Sequence, residues 1–282
     1  MDRVTLLKDK PCRATWVEMR QQSIPCFDVA LLDNMLEAGE ALGNRFRREA
    51  GIQSQPRLSG RDLFQVTCSD AKDGTFSLGG DLAAFVEWIE AGNEAKLRRY
   101  AGKCIELLDI AHRNHGAPIE TIAVVEGEAL GGGFECALAH RRIIADPRAT
   151  FGFPEVKFGM FPGMGAVSAL TRKIGAKRAQ TLIMEGCVIT CEQAAKLGIV
   201  DIVANIEGDA RGAASRYMAR IAGNPGKMAA LEALLITQEP LPLAELMKIN
   251  SIWIDNALQL SQENIELMRT ILKSQGRKYN GE

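Results

Sequence analysis

Leu130-Gly131-Gly132-Gly133-Phe134-Glu135, followed by Phe153-Pro154-Glu155 and then Phe161-Pro162-Gly163-Met164-Gly165, is the stretch of this 282-residue chain from which the rest can be read. Consecutive glycines remove every Cβ from a short segment, so the backbone can take unusual dihedrals and a carbonyl group can approach the peptide N–H groups closely. Upstream, Ile122-Ala123-Val124-Val125 reads as a buried strand; downstream, Phe134, Ala137, Leu138 and Arg141 are spaced as a helix face. The glycines therefore stand at a strand-to-helix junction. The first helical N–H groups there have no partner within the helix and carry the positive end of its dipole, which suits a developing oxyanion. Glu135 falls in the first helical turn. Read alone, such a run only lets a helix pack tightly on a strand, with Glu135 as a dipole-stabilising carboxylate.

Glu155 adds to that reading. Phe151, Phe153, Val156, Phe158, Met160 and Phe161 surround it in sequence, and an apolar setting favours the protonated carboxyl and raises its pKa. Such a group can shuttle a proton near neutral pH. Pro154 restricts the backbone just before it, and Phe161-Pro162-Gly163 closes the stretch ahead of a helix-like segment from Ala166 to Ile174. One carboxylate in an apolar loop is commonly structural. Two, in this order behind a glycine triplet, predict a pair that handles protons beside a carbonyl.

Farther out, strand-like and helix-like segments alternate. Ala14 to Met19, Leu63 to Cys68, Thr121 to Val125 and Arg142 to Ala145 read as strands, and Asp28 to Arg48 and Asn93 to His112 as amphipathic helices. That alternation predicts an α/β architecture. The polar stretch from Gly51 to Gly60, which contains Pro56, predicts an exposed loop. Beyond Ile206-Glu207-Gly208 the strands stop, and Arg211 to Ile221, Lys227 to Ile236 and Leu243 to Lys273 read as helices.

A hydrophobic content of 46% over this length supports a sizeable core, and a net charge of −1 gives no electrostatic footprint for nucleic acid. The start, Met1 to Lys10, lacks an apolar signal core, and no segment reaches the length of apolar sequence that spans a bilayer; cytoplasmic residence is the expectation. The seven cysteines are unevenly spaced and suit a reducing compartment rather than a disulfide framework. Cys187 and Cys191 have no neighbouring histidine to complete a metal site, and His112, His115 and His140 read as structural or solvated. No metal and no redox cofactor is expected.

The segments Phe76-Ser77-Leu78-Gly79-Gly80-Asp81, Glu126-Gly127-Glu128-Ala129-Leu130-Gly131-Gly132-Gly133-Phe134-Glu135 and Phe153-Pro154-Glu155 resemble the enoyl-CoA hydratase/isomerase (crotonase) superfamily over residues 12 to 205. The resemblance implies a spiral of repeated ββα units in residues 1–205. It also implies a C-terminal helical region, residues 206–282, that covers the active site or an oligomer contact, with assembly as a homotrimer or hexamer. By position, the backbone N–H groups of Gly80 and Gly132 would form the oxyanion hole, and Glu135 and Glu155 would be the catalytic carboxylates.

Ordinary hydratases tend to read Pro-Gly-x-Gly-Gly-Thr after the second glutamate, whereas this chain has Pro162-Gly163-Met164-Gly165-Ala166-Val167. Leu78-Gly79-Gly80-Asp81-Leu82, the run Phe158 to Ala166 and the run Ile252 to Leu260 are instead similar to bacterial diffusible signal factor synthases. That similarity implies dehydration of a 3-hydroxyacyl thioester, on acyl carrier protein or CoA, to a cis-2-enoyl thioester. Thioester hydrolysis would then release a cis-2-unsaturated fatty acid used in quorum sensing. Glu155 would take the α-proton and Glu135 would assist departure of the 3-hydroxyl group. Met160, Met164, Trp253 and Leu258 are candidates for the acyl pocket, each with core packing as the alternative. Arg45, Arg47 and Arg48, or Lys173, Lys177 and Arg178, could offer a basic patch to an acidic carrier protein. The alternatives are an ordinary enoyl-CoA hydratase acting on trans substrates and a non-catalytic scaffold that binds a sensor kinase.

Overall fold

The computed structural model describes residues 2–51, 61–238 and 240–280. The predicted loop from 51 to 60 lies outside the described residues, except that Gly51 ends the first helix.

Chain order begins with β1 (Val4–Asp9), β2 (Ala14–Met19), α1 (Val29–Gly51), β3 (Phe64–Ser69), α2 (Leu82–Glu90) and α3 (Glu94–His112). It continues through β4 (Glu120–Val125), β5 (Glu128–Leu130), α4 (Gly132–Leu138), β6 (Arg142–Ala145) and β7 (Thr150–Gly152). A 3₁₀ turn over Pro154–Phe158 leads to α5 (Ala166–Ile174), α6 (Ala176–Glu185), β8 (Val188–Thr190), α7 (Cys191–Lys196) and β9 (Ile202–Val203). The chain closes with α8 (Ala210–Ile221), α9 (Pro225–Gln238), α10 (Leu243–Ala257) and α11 (Gln262–Asn280).

A six-stranded sheet runs in the order β1-β2-β3-β4-β6-β9, antiparallel at β1 and parallel from β2 onward. Every residue of β3 and β4 is buried, as expected of parallel strands covered on both faces. A smaller sheet, β5-β7-β8, stands beside it, and an isolated bridge joins Ser77 to Ala129 of β5. Each pass of the chain thus lays one long strand in the large sheet, a short one against the small sheet, and then a helix. β3 with Ser77 and α2, and then β4 with β5 and α4, are successive turns of this spiral of ββα units. The strand directly ahead of the glycine triplet is therefore β5, with β4 one step earlier.

Helix positions follow the apolar periodicity. α1 buries Leu31, Leu32, Met35, Ala38, Leu42 and Phe46 along one stripe, each Leu, Met or Phe contributing roughly 1.5–3 kcal/mol over an exposed position. Asp81 caps α2 by accepting from the Ala84 N–H at 3.1 Å, so the helix begins immediately after Gly80. The single helix expected from Leu243 to Lys273 is two. α10 ends at Ala257, and Ser261 starts α11 by accepting from the Asn264 N–H at 3.3 Å. α10 packs on α3 and α11 on α2. Among the described residues no helix is long and apolar enough to cross a membrane.

Candidate active site

The two glycine segments are joined by backbone pairing. Phe76 N–H donates to the Glu128 carbonyl at 2.8 Å, and Leu130 N–H donates to the Ser77 carbonyl at 2.9 Å. Residues 79–80 therefore run beside residues 131–132. A Cβ on Gly79 would lie 3.1 Å from the Gly132 nitrogen, and one on Gly132 would lie 3.7 Å from the Gly80 nitrogen. Close packing imposes glycine at the end of the triplet, because a Cβ on Gly133 would sit 2.2 Å from the Ser77 carbonyl oxygen. Gly132 opens α4, so its N–H has no partner within the helix.

Glu135, in the first turn of α4, is 2% exposed. Its Oε1 accepts from the backbone N–H groups of Met164 at 2.8 Å and Ala166 at 3.0 Å, so the Pro162–Gly165 loop wraps the carboxyl. Burial and, next, the charge of Glu155 push its pKa up to about 8, against the pull of those N–H donors. Glu155 sits on the 3₁₀ turn, with its Oε2 3.2 Å from where a Gly131 Cβ would be. That oxygen is buried without a hydrogen-bond partner, and burial pushes the carboxyl up to about 8. Neither group carries its charge easily, and a charge on Glu155 opposes one on Glu135; near neutral pH the pair retains a proton.

The far end of α4 is pinned from β3. The Gln65 amide donates to Thr67 Oγ1 at 2.8 Å, which leaves the Thr67 proton for His140 Nε2 at 2.8 Å. The ring proton assigned by that network is on Nδ1, which donates to the Cys136 carbonyl at 2.8 Å. His115 and His140 are both buried, and burial lowers each to about 4; neither lines the cavity that holds the glutamates.

A cavity of about 300 Å³ is lined by Gly80, Gly132, Glu135 and Glu155 together with Met160, Met164 and Trp253. Leu258 is not among its lining residues. It follows Trp253 by five positions, about 140° around the helix, and packs against the core as the C-cap of α10. The structure adds walls that the sequence reading did not name: Phe85, Tyr100 and Cys104 from α2 and α3, and Asn250, Ile271 and Gln275 from α10 and α11. One signal was available for Asn250, a polar residue within the buried stripe Leu246, Trp253, Ile254 and Ala257. The arginines and lysines proposed for a carrier do not line the cavity. Arg45 is held by Thr15 and Asp62, Arg47 by the His115 carbonyl and Asn44, and Lys173 faces Asp201 at 3.7 Å. Among the described residues, Lys157 is the lysine or arginine that lines it.

Among solved structures, the chain is similar to an enoyl-CoA hydratase from Bacillus halodurans, with 22% identity, coverage of 94% of this chain and 98% of that one, and a TM-score of 0.77. It is also similar to DspI of Pseudomonas aeruginosa, with 24% identity, coverage of 90% and 95%, and a TM-score of 0.70. An enoyl-CoA hydratase from Bacillus anthracis matches at 20% identity, with 96% of each chain covered and a TM-score of 0.70. These likenesses establish the fold. The sequence profile described as enoyl-CoA hydratase/isomerase matches residues 62–269, and on that match the chain belongs to the enoyl-CoA hydratase/isomerase family.

Proposed function

We propose that this chain dehydrates a 3-hydroxyacyl thioester, carried on acyl carrier protein or CoA, and then hydrolyses the thioester to release a cis-2-unsaturated fatty acid signal. The observation that carries the reading is the convergence of two buried, reluctantly ionised carboxyls and two glycine N–H groups on one largely apolar cavity. In this reading the thioester oxygen sits between the N–H groups of Gly80 and Gly132, which acidifies the α-carbon by stabilising the enolate-like state. Ionised Glu155 takes the α-proton, the released electron pair forms the Cα–Cβ double bond, and the Cβ–O bond breaks as protonated Glu135 gives its proton to the departing oxygen. With the residual thioester carbonyl held by the same N–H groups, Glu135, left ionised by the dehydration, takes a proton from water as the water oxygen bonds to the carbonyl carbon; the C–S bond then breaks and the carrier thiol leaves with that proton, which frees the acid.

A second reading, hydration of a trans-2-enoyl thioester, is favoured by one observation. Glu135 receives two backbone N–H groups, which stabilise its ionised form, whereas Glu155 Oε2 receives none. That distribution suits Glu135 as the base that activates water and Glu155 as the acid at the α-carbon. The two readings are the two directions of one proton relay, so products decide. Purified protein incubated with 3-hydroxyacyl thioesters of acyl carrier protein and of CoA should yield free cis-2-enoic acids by mass spectrometry and NMR. A trans-2-enoyl thioester with no free acid would replace the first reading by the second.

A further inference from the structure

Asn250 is a largely buried polar residue of the cavity wall, 4% exposed, and among the described residues no group hydrogen-bonds its amide. The Tyr100 hydroxyl donates to the Phe27 carbonyl at 2.6 Å and Glu135 Oε1 holds its two N–H donors, whereas Glu155 Oε2, like the Asn250 amide, has no protein partner. The Asn250 amide is not sealed inside the protein but open to the cavity, so its hydrogen-bonding capacity is available to a ligand there.

Its place in the fold says which ligand atom. Asn250 lies one turn of α10 from both Leu246 and Trp253. These two pack on the loop around Met164: a Cβ on Gly165 would meet Leu246 Cδ2 at 2.5 Å, and one on Gly163 would meet Trp253 Cδ1 at 2.2 Å. Met164 is the residue whose N–H holds Glu135. Cys104 of α3, the helix on which α10 packs, also lines the cavity and lies within electrostatic range of Glu135. Asn250 therefore faces the Glu135 side of the cavity, where the oxygen on the β-carbon is lost or added.

We propose that Asn250 binds the oxygen on the acyl β-carbon, as the 3-hydroxyl group or as the water molecule exchanged with it. The proposal rests on the thioester reading above and holds for either direction of the reaction. The amide Nδ2–H donates to that oxygen and steadies it while Glu135 exchanges the proton; Asn250 is a specificity and positioning residue.

The test is ligand binding by calorimetry in a Glu155→Gln background, which stops turnover, with 3-hydroxydodecanoyl-CoA and dodecanoyl-CoA as a matched pair. The hydroxylated thioester should bind about tenfold more tightly. Adding Asn250→Leu should remove that preference by weakening the hydroxylated ligand while the saturated one binds as well or better, a split that general structural damage does not produce. A preference that survives Asn250→Leu overturns the proposal, as does equal tightening of both ligands, which would make the amide a limit on chain fit. Binding of neither thioester to the Glu155→Gln protein would bring down the functional reading itself. Should the leucine variant fail to fold by circular dichroism, Asn250→Ser against Asn250→Ala repeats the comparison, with the preference expected only where a hydroxyl remains.

Discussion

The two sides of the cavity are built in different ways. The floor, residues 79–80 and 131–135, is interlocked through the backbone: Leu130 pairs with Ser77, glycines are imposed by carbonyl oxygens, and the Glu135 carboxyl is fixed by main-chain N–H groups. The wall contributed by α10 and α11 meets the cavity through side chains alone, with Trp253 seated on Gly163 and edge-on to Phe85 at 5.4 Å between ring centroids. Hydrogen bonds of the main chain survive most side-chain substitutions, whereas a wall made of side chains changes with each one. Under the proposed function, chemistry falls to the floor and selection of the acyl chain to the wall, and each proposal can be broken separately.

The largest effect belongs to the carboxyls. Glu135→Ala and Glu155→Ala should each lower turnover by about a hundredfold to ten-thousandfold, the range that general acid–base catalysis contributes. Near-normal turnover in a variant shown to be folded by circular dichroism removes that residue from the mechanism. Next is the proposed oxyanion hole, where a side chain in Gly132→Val would press on Met164 Sδ, 3.0 Å from the Cβ position, and obstruct the proposed carbonyl site. Loss of one oxyanion donor costs about a hundredfold to a thousandfold in rate, so unchanged kinetics would take Gly132 out of the site.

Trp253→Ala tests the wall. Removing a buried Trp typically costs about 3–5 kcal/mol, so the informative measurement is the ratio of products rather than their yield. The ratio should move towards longer or more varied chains. Less of an unchanged mixture would reduce Trp253 to core packing.

The smallest effect is a slope of stability with pH. Both glutamates stand at about 8 in the folded chain against an ordinary 4.5. Between these values the folded state binds more protons than the unfolded state, and stability falls as pH rises. His115 and His140, lowered from 6.5 to about 4, act in the opposite direction, and their contribution is nearly complete only by about pH 7.5, one unit above the unfolded-state value. From about pH 7.5 to 8 the carboxyls therefore outweigh the histidines. Thermal melts of Glu155→Gln should show a shallower decline there and a higher Tm at pH 8, by about 2–4 °C per kcal/mol recovered. A slope identical to wild type would mean that Glu155 ionises as an ordinary surface carboxylate.

Much of the floor was legible because its constraints are local. Glycine is demanded where a Cβ has no room, and a glutamate among phenylalanines reports its own environment. The long buried strands were legible as apolar runs, and β2 and β6 begin and end where the pattern placed them. The three-residue strands β5, β7 and β8 were not, since three residues are too few for a period to show. The break between α10 and α11 carries neither Gly nor Pro, and Ser261 was its only local mark.

The sequence by itself determined which groups can do the chemistry, because the identity of a residue sets its acid–base range and the absence of a Cβ is a property of glycine alone. Only the tertiary structure decided which of them share one space. It brought Glu135 and Glu155 to the same cavity, and gave one carboxyl two N–H donors and left the other an unpartnered oxygen. It turned Trp253 and Asn250 inward and Leu258 away. Side-chain facing depends on the rotation of α10 against α3, and desolvation depends on everything packed around a carboxyl; both sum over residues distant in the chain, which local pattern cannot encode.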